Sequence, residues 1–394
     1  MAEAVAELDE LLSPSGWPHA SAPPVDAGDP GRFHALFGRD ALITPLEVLP
    51  ARPEIARATL RELALLQGRS DDPETDEQPG KIVHEWWPQA PAELRDTGWP
   101  VRDGELRYYG SADSTSWFLL VLASLDDRAL AAELELTWRA AGEWLLRALE
   151  RGDGLVRHGP RQAPGGLAQQ GWRDAVDPAD PAFHGGGIMR AVSGTPRSPL
   201  ADADTQAVAV VALRALARLS GDEHWGQRAA ELGARLEEFG PETIAIEADG
   251  AAVRGAGSHL GWLLWADALS PAGRYVVAER ACRADVLTPW GLRTLSAEHP
   301  RFAPDAYHRG SVWPFDSWLG WGGLRAAGRT AEAESLRVGV LEAIEAVGRA
   351  PELYAVGPRG PSRIPVANRV QAWTIGARWA LEHEWDGRSP ALFG

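Results

Sequence analysis

The chain has a single cysteine, Cys282, in 394 residues, which excludes an internal disulfide framework and agrees with a reducing compartment. It lacks any apolar run long enough to cross a bilayer, and no basic segment followed by an apolar stretch opens it. A soluble, cytoplasmic protein is expected. Basic residues are the minority charge, 39 against 55 acidic, for a net charge of −16. That balance excludes nucleic acid and anionic membrane surfaces as partners and favours a neutral or cationic ligand. Nothing marks a phosphate-binding site, and strand signals are weak, with Glu242–Ala248 the one candidate.

Phenylalanine and tyrosine are few, 8 and 5, whereas tryptophan is abundant at 18. Cores are ordinarily filled with Phe and Leu, because a buried indole N–H needs a partner. Trp86, Trp87, Trp172, Trp290 and Trp313 lie beside or close to Gly, His, Arg or Asp and are expected to line a carbohydrate cleft. Trp138, Trp144 and Trp379 sit within helical patterns and are expected in the core.

The chain is dominated by helical patterning. Ala41–Leu49, the stretch after Tyr108, Pro199–Leu219, Gly257–Leu269, Tyr307–Gly328 and Ala367–Glu382 are apolar nearly all round, most of them after a polar head. Arg52–Gln67, Leu130–Leu149, Glu223–Phe239, Ala272–Ala284 and Thr330–Val347 intervene, several of them clearly amphipathic. Helices apolar on every side must be buried on every side, and amphipathic ones face solvent. This inner and outer alternation predicts an all-α fold, an α/α toroid, with the loops entering the inner helices gathered at one end. Ser111 or Asp113 is expected to cap the helix after Tyr108, and Asp202 and Asp204 the one beyond Pro199.

Ala168–Pro178 (AQQGWRDAVDP) breaks this pattern. It places Asp174 and Asp177 with Arg173 and Trp172 between Gly165–Gly166 and a long irregular segment reaching Pro199. An indole can stack on a pyranose face and can also desolvate a neighbouring acid. Taken alone, the stretch reads equally well as an acidic surface turn. His84 and Glu85 resemble metal ligands, but no further histidine stands at zinc-ligand spacing, so no metal is expected.

Nine motifs then appear in order: FGRDALIT (37–44), GKIVHE (80–85), YYGSADST (108–115), QGWRDAVD (170–177), PLADADTQ (199–206), WGLRTLS (290–296), YHRGSVWPFD (307–316), PELY (351–354) and QAW (371–373). Together they resemble the catalytic domain of bacterial amylo-α-1,6-glucosidases of the glycogen-debranching type. That domain is related to the α-glycosidases of glycoside hydrolase family 63, which include mannosylglycerate and glucosylglycerate hydrolases. The resemblance spans Gly31 to Leu381 and implies an (α/α)6 barrel, a six-hairpin glycosidase toroid. It implies a catalytic domain over 31–385, with residues 1–30 an N-terminal tail or strap and 386–394 a C-terminal tail. Debranching proteins commonly carry a β-rich N-terminal domain that this sequence does not show, so a short glycoside is as good a substrate expectation as glycogen.

The resemblance also implies an inverting mechanism, in which a protonated carboxyl donates to the leaving oxygen while a carboxylate activates water across a gap of roughly 6.5–9.5 Å. It assigns the general acid to Asp174, with Asp177 as the alternative, and the general base to Glu352. An arginine packed against Asp174 would favour its ionised form, so Arg173 is expected to point away while Trp172 lines the site. Arg39, Asp40, Glu85, Trp86, Asp113, His308, Trp313 and Gln371 are the remaining substrate-binding candidates. Arg309, Arg359 and Arg363 could receive an acidic aglycone. The substrate is expected to be a carbohydrate, an α-glucoside or a related glycoside, with no cofactor. The alternatives are a toroid sugar isomerase or epimerase using His308 with His259 or His84, and a non-catalytic carbohydrate-binding scaffold. Nothing in the sequence speaks to oligomeric state.

Overall fold

The computed structural model describes residues 3–24, 32–160, 165–177, 186–192 and 194–393. Pro178 of the acidic stretch, part of the long segment after it and the end of the N-terminal tail lie outside the described residues. The helices are α1 (Glu3–Asp9), α2 (Asp40–Glu47), α3 (Pro53–Leu65), α4 (Ala92–Asp96), α5 (Ser114–Ser124), α6 (Arg128–Glu133), α7 (Glu135–Arg151) and α8 (Ala203–Ser220). They continue as α9 (Glu223–Arg235), α10 (His259–Trp265), α11 (Pro271–Ala281), α12 (Pro314–Ala326), α13 (Thr330–Val347), α14 (Ala372–Glu382) and α15 (Pro390–Phe393).

The apolar helices meet one another in sequence. α2 packs on α5, α5 on α8, α8 on α10, α10 on α12, α12 on α14, and α14 returns to α2. Every residue of α2, α5 and α10 is buried, as their lack of a polar face demands. Each has an outer partner: α3 on α2, α7 on α5, α9 on α8, α11 on α10, α13 on α12 and α1 on α14. α10 and α12 approach backbone to backbone, since a Cβ on Gly323 would stand 2.2 Å from the Gly261 carbonyl oxygen. The chain is thus mostly helical, with successive inner helices in contact.

It is not purely helical. β1 (Leu36–Phe37), β2 (Glu85–Trp87), β3 (Val101–Arg102) and β4 (Glu105–Tyr108) form an antiparallel sheet in the order β1-β2-β4-β3. A second sheet joins β5 (Ala201–Asp202), β6 (Thr243–Ile246) and β7 (Ala252–Arg254), so the expected strand near Glu242 is present. Hairpins β8 (Leu287–Thr288) with β9 (Gly291–Leu292), and β10 (Tyr354–Gly357) with β11 (Gly360–Arg363), complete the strands. All run two to four residues, too short for an alternating pattern to emerge in the sequence. The all-α expectation is corrected to that extent.

The terminal segments are built into the fold. Leu8 and Leu11 are buried in the main core, and Ala20 is bonded to both Ala35 and Ala372. At the other end, the Trp265 and Trp318 indoles donate to the carbonyls of Asp386 (2.8 Å) and Trp385 (2.7 Å). The Trp385 indole and Ser389 hydroxyl donate in turn to Leu46 and Ser124. Those carbonyls end α2 and α5 and need partners outside their helices, so the C-terminal segment caps this end of the helix set.

Candidate active site

The opposite end gathers the helix N-termini. The residues preceding the inner helices are Arg39, Asp113, Asp202, Ser258, Trp313 and Gln371. Unpaired N–H groups and the positive end of each helix dipole face this region, which suits a cluster of carboxyls in an otherwise acidic protein. Ser111, not Asp113, caps α5: its hydroxyl accepts from the Ser114 N–H at 3.1 Å and donates to Asp113 at 2.8 Å. Asp113 is thereby turned toward Arg39. Asp202 caps α8 through the Thr205 N–H (2.9 Å) and also bonds His158 (2.8 Å), whereas Asp204, expected as a cap, is committed to Arg173.

Arg39 is the hub, with its side chain 3 % exposed. Nε and Nη2 donate to the two oxygens of Asp113 at 2.8 and 2.9 Å, Nη2 also to the Gly171 carbonyl at 2.9 Å, and Nη1 to Asp174 at 3.0 Å. The fork geometry of a guanidinium is what allows one side chain to hold two carboxylates and a carbonyl. A Cβ on Gly171 would lie 2.9 Å from an Asp202 oxygen that His158 and Thr205 already hold, so a larger residue here would displace the cap of α8. The acidic stretch is a tight loop, pinned by Gln169–Ala175 backbone pairing and by the Gln170 N–H on His158.

A second arm carries Glu352. Its oxygens accept from the Tyr307 hydroxyl and from the Asn368 N–H at 2.9 Å. The Asn368 amide donates to Gln371 (3.1 Å), and Gln371 donates to Asp40 (3.2 Å). Asp40, Asp174 and Glu352 are close enough for their charges to act on one another. Burial, with Asp174 and Glu352 adding to it, pushes Asp40 well above the usual carboxyl range against the pull of Arg39. Burial raises Asp174 to about 6, with the Arg39 charge and hydrogen bond holding it back. Glu352 rises to about 7, again by burial, opposed by the Tyr307 and Asn368 hydrogen bonds. Glu85, on the same side, is buried and raised to about 8.

Asp177, the alternative acid, is exposed at the end of the loop, whereas Asp174 sits in the cluster with its side chain a quarter exposed. Arg173 does turn away from Asp174, toward Asp204 and Ser258. Trp172 is 2 % exposed and stacked on Trp262 at 5.9 Å, so it backs the loop from behind. Trp313 is likewise buried. Its N–H donates to the Tyr307 carbonyl (3.0 Å) and its ring stacks on His308 at 5.0 Å, forming part of an aromatic plug with Phe315 and Trp373. Much of the tryptophan expected to line a cleft therefore fills the centre of the helix set.

Trp86 is not brought to the cluster. Alternation along β2 sends Glu85 one way and Trp86 the other, where it meets Trp17 at 6.1 Å and donates to Glu105 at 2.6 Å. Trp87 shares the Glu85 face and donates to that carboxyl at 3.2 Å. Of the three histidines weighed for isomerase chemistry, His84 packs against Phe37 and Tyr108, while His259, within α10, and His308, on Trp313, both face Arg173. Burial first, then arginine charge, keeps each well below the usual histidine range. Beside His308 lies a narrow recess of about 10 Å³, room for no more than a water, lined by Arg173, Ile188, Met189, Leu295 and Arg309 among others. Among the described residues, no three His, Cys, Asp or Glu side chains are grouped as a metal would need.

Tyr307, Asn368 and Asp204 were not among the residues singled out from the sequence as site residues. Tyr307 lies in the YHRGSVWPFD motif and could have been found there. Asn368 carries no local signal, because its value comes from a backbone N–H.

Residues 189–353 match the family model described as the mannosylglycerate hydrolase MGH1-like glycoside hydrolase domain. The class of protein this defines is a glycoside hydrolase. The structure is similar to the GH63 mannosylglycerate hydrolase from Thermus thermophilus, solved in complex with Tris and D-glycerate. Sequence identity is 18 % and the TM-score 0.71, over 97 % of this chain and 98 % of that one. The same enzyme in complex with glucose gives 18 % identity and a TM-score of 0.69, over 97 % and 99 %. No curated protein sequence matches significantly. The resemblance to family 63 glycosidases read from the ordered motifs is the one these comparisons return. The matched segment contains Glu352; Arg39, Asp40, Asp113 and Asp174 precede it. No helix among the described residues is long and apolar enough to cross a membrane.

Proposed function

We propose that the protein is an inverting α-glycosidase built on an (α/α)6 toroid, acting on a short α-glycoside such as a glycosylglycerate. The observation that carries this reading is the pair of carboxyls, partly exposed Asp174 and buried Glu352, each held on its own arm at the convergent helix N-termini. The succession of inner-helix contacts supports the toroid, and the shared outline with an enzyme that binds D-glycerate and glucose supports the substrate class.

In this reading Asp174 protonates the glycosidic oxygen while Glu352 removes a proton from the attacking water. Burial, with the Asp174 charge adding to it at Glu352, raises both carboxyls and favours one proton on the pair near neutral pH, the state from which inversion starts. Tyr307 and the Asn368 N–H favour the ionised Glu352 that a base requires. Arg39, Asp40, Glu85 and Gln371 bind sugar hydroxyls.

One observation favours exchanged roles. Arg39 stabilises the ionised form of Asp174, and Glu352 is pushed higher than Asp174. The test is a hydrolysis screen of glucosylglycerate, mannosylglycerate, α-linked disaccharides and limit dextrin, with Asp174→Asn and Glu352→Gln as controls. Cleavage of a short glycoside, lost in both variants, is expected. Cleavage by Asp174→Asn at the wild-type rate would remove Asp174 from the chemistry.

A further inference from the structure

Arg173 and Asp174 are neighbours in the chain, yet the cation is absent from the carboxyl beside it. The Arg173 guanidinium is buried and paired with Asp204 of α8, donates to the Ser258 hydroxyl at 2.8 Å, and lies 4.6 Å from the centre of the Trp172 ring. Trp172 is itself fixed, stacked at 8° on Trp262, whose N–H donates to Asp316 at 2.6 Å. We propose that Asp204 is a positioning residue: with Ser258 it holds the Arg173 guanidinium against Trp172 and keeps that cation off Asp174. The proposal rests on the reading of Asp174 as the acid.

The charges on both sides are accounted for. Arg173 is faced by Asp204, Asp316, His259 and His308, and Asp204 also by Asp202. Burial pushes Asp204 to about 7 and Asp316 to about 6, each held down by Arg173, so one cation serves two carboxyls. Asp174 is faced by Arg39, Asp113, Asp40, Glu85, Glu352 and Tyr307. It already carries one guanidinium. A second within about 4–6 Å would lower an acid's pKa by a further 1–3 units. Neutralising Asp204 removes the main tether and leaves the guanidinium to Ser258 and Asp316, with Asp174 the carboxyl next to it in the chain.

The experiment compares the pH dependence of kcat/KM for glucosylglycerate, which needs the acid, and α-glucosyl fluoride, whose leaving group does not. For Asp204→Asn the alkaline limb on glucosylglycerate is expected to move down by about one pH unit, with about tenfold loss near pH 7.5 in kcat rather than KM. The rate on the fluoride stays within about twofold of wild type. The double variant Arg173→Gln, Asp204→Asn removes the cation with its tether and is expected to return the limb to the wild-type position. Ser258→Ala keeps the ion pair and moves the limb the same way by less; it decides the matter should Asp204→Asn not fold. An unmoved limb in the folded variants, or equal loss on both substrates, overturns the proposal while leaving the glycosidase reading intact. A wild-type protein inert on both substrates, or an Asp174→Asn variant that cleaves glucosylglycerate at the wild-type rate, defeats that reading, and this proposal with it.

Discussion

Arg39 is the side chain whose removal the structure makes most consequential. Replacing it with Gln leaves Asp113, 1 % exposed, without its cation, and removes the charge that holds down both Asp174 and Asp40. Breaking a buried ion pair by removing one partner costs about 3–5 kcal/mol. With an unfolding entropy of about 2 cal/mol/K per residue, a chain of 394 residues loses about 4–6 °C in Tm for that cost. The loss depends on pH, and its sign follows from the carboxyls. Without Arg39 the folded-state pKa values of Asp174 and Asp40 rise further above their unfolded values. Folded-state stability is then full at low pH and lost as pH rises through those values. Scanning calorimetry of Arg39→Gln and wild type at pH 5 and pH 8 is therefore expected to show a larger Tm deficit at pH 8. A deficit below 1 °C, or one equal at both pH values, would refute the placement of Arg39 as the charge hub. Arg39→Lys keeps the charge but not the fork, and should recover only part of the loss.

Asp174→Asn should lower kcat on glucosylglycerate by about 10³-fold yet retain most activity on α-glucosyl fluoride, whereas Glu352→Gln should lose both; the opposite pattern would exchange their roles. Asp177→Asn, at the exposed end of the loop, should keep kcat/KM within about threefold in the same assay. Glu47 is fully buried one helical turn and more below Asp40, with both carboxyl oxygens lacking partners among the described residues, and burial holds its pKa well above the usual range. Its contribution is full below its unfolded pKa and lost as pH rises, so Glu47→Met should raise Tm at pH 8 by an amount worth about 1–2 kcal/mol and flatten its pH dependence. Gly323→Ala would drive α10 and α12 apart and should lower Tm by several degrees in thermal melts.

The helix alternation was legible because burial on all sides leaves a composition that no surface helix shares. The loop Gly171–Asp174 was legible because it broke that pattern. Arg173 turns away from Asp174 as expected, but Arg39, from a distant motif, donates to that carboxyl at 3.0 Å, a contact no local reading supplies. Trp86 was misplaced because a three-residue strand gives no period from which to read its face, and the adjacent indole belonged to the other side. Trp172 and Trp313 looked like cleft residues because their neighbours in sequence are polar. In space those polar groups supply what a buried indole needs, as the Tyr307 carbonyl does for Trp313. Asp204 looked like a cap because it opens a helix; its partner lies 31 positions away in the chain, beyond any local signal.

The central claim is hydrolysis of an α-glycoside with inversion at the anomeric carbon. Proton NMR of the sugar released in the first minutes of the reaction tests it directly. The β-anomer is expected first, mutarotating to the equilibrium mixture; the α-anomer appearing first would mean retention and rule inversion out.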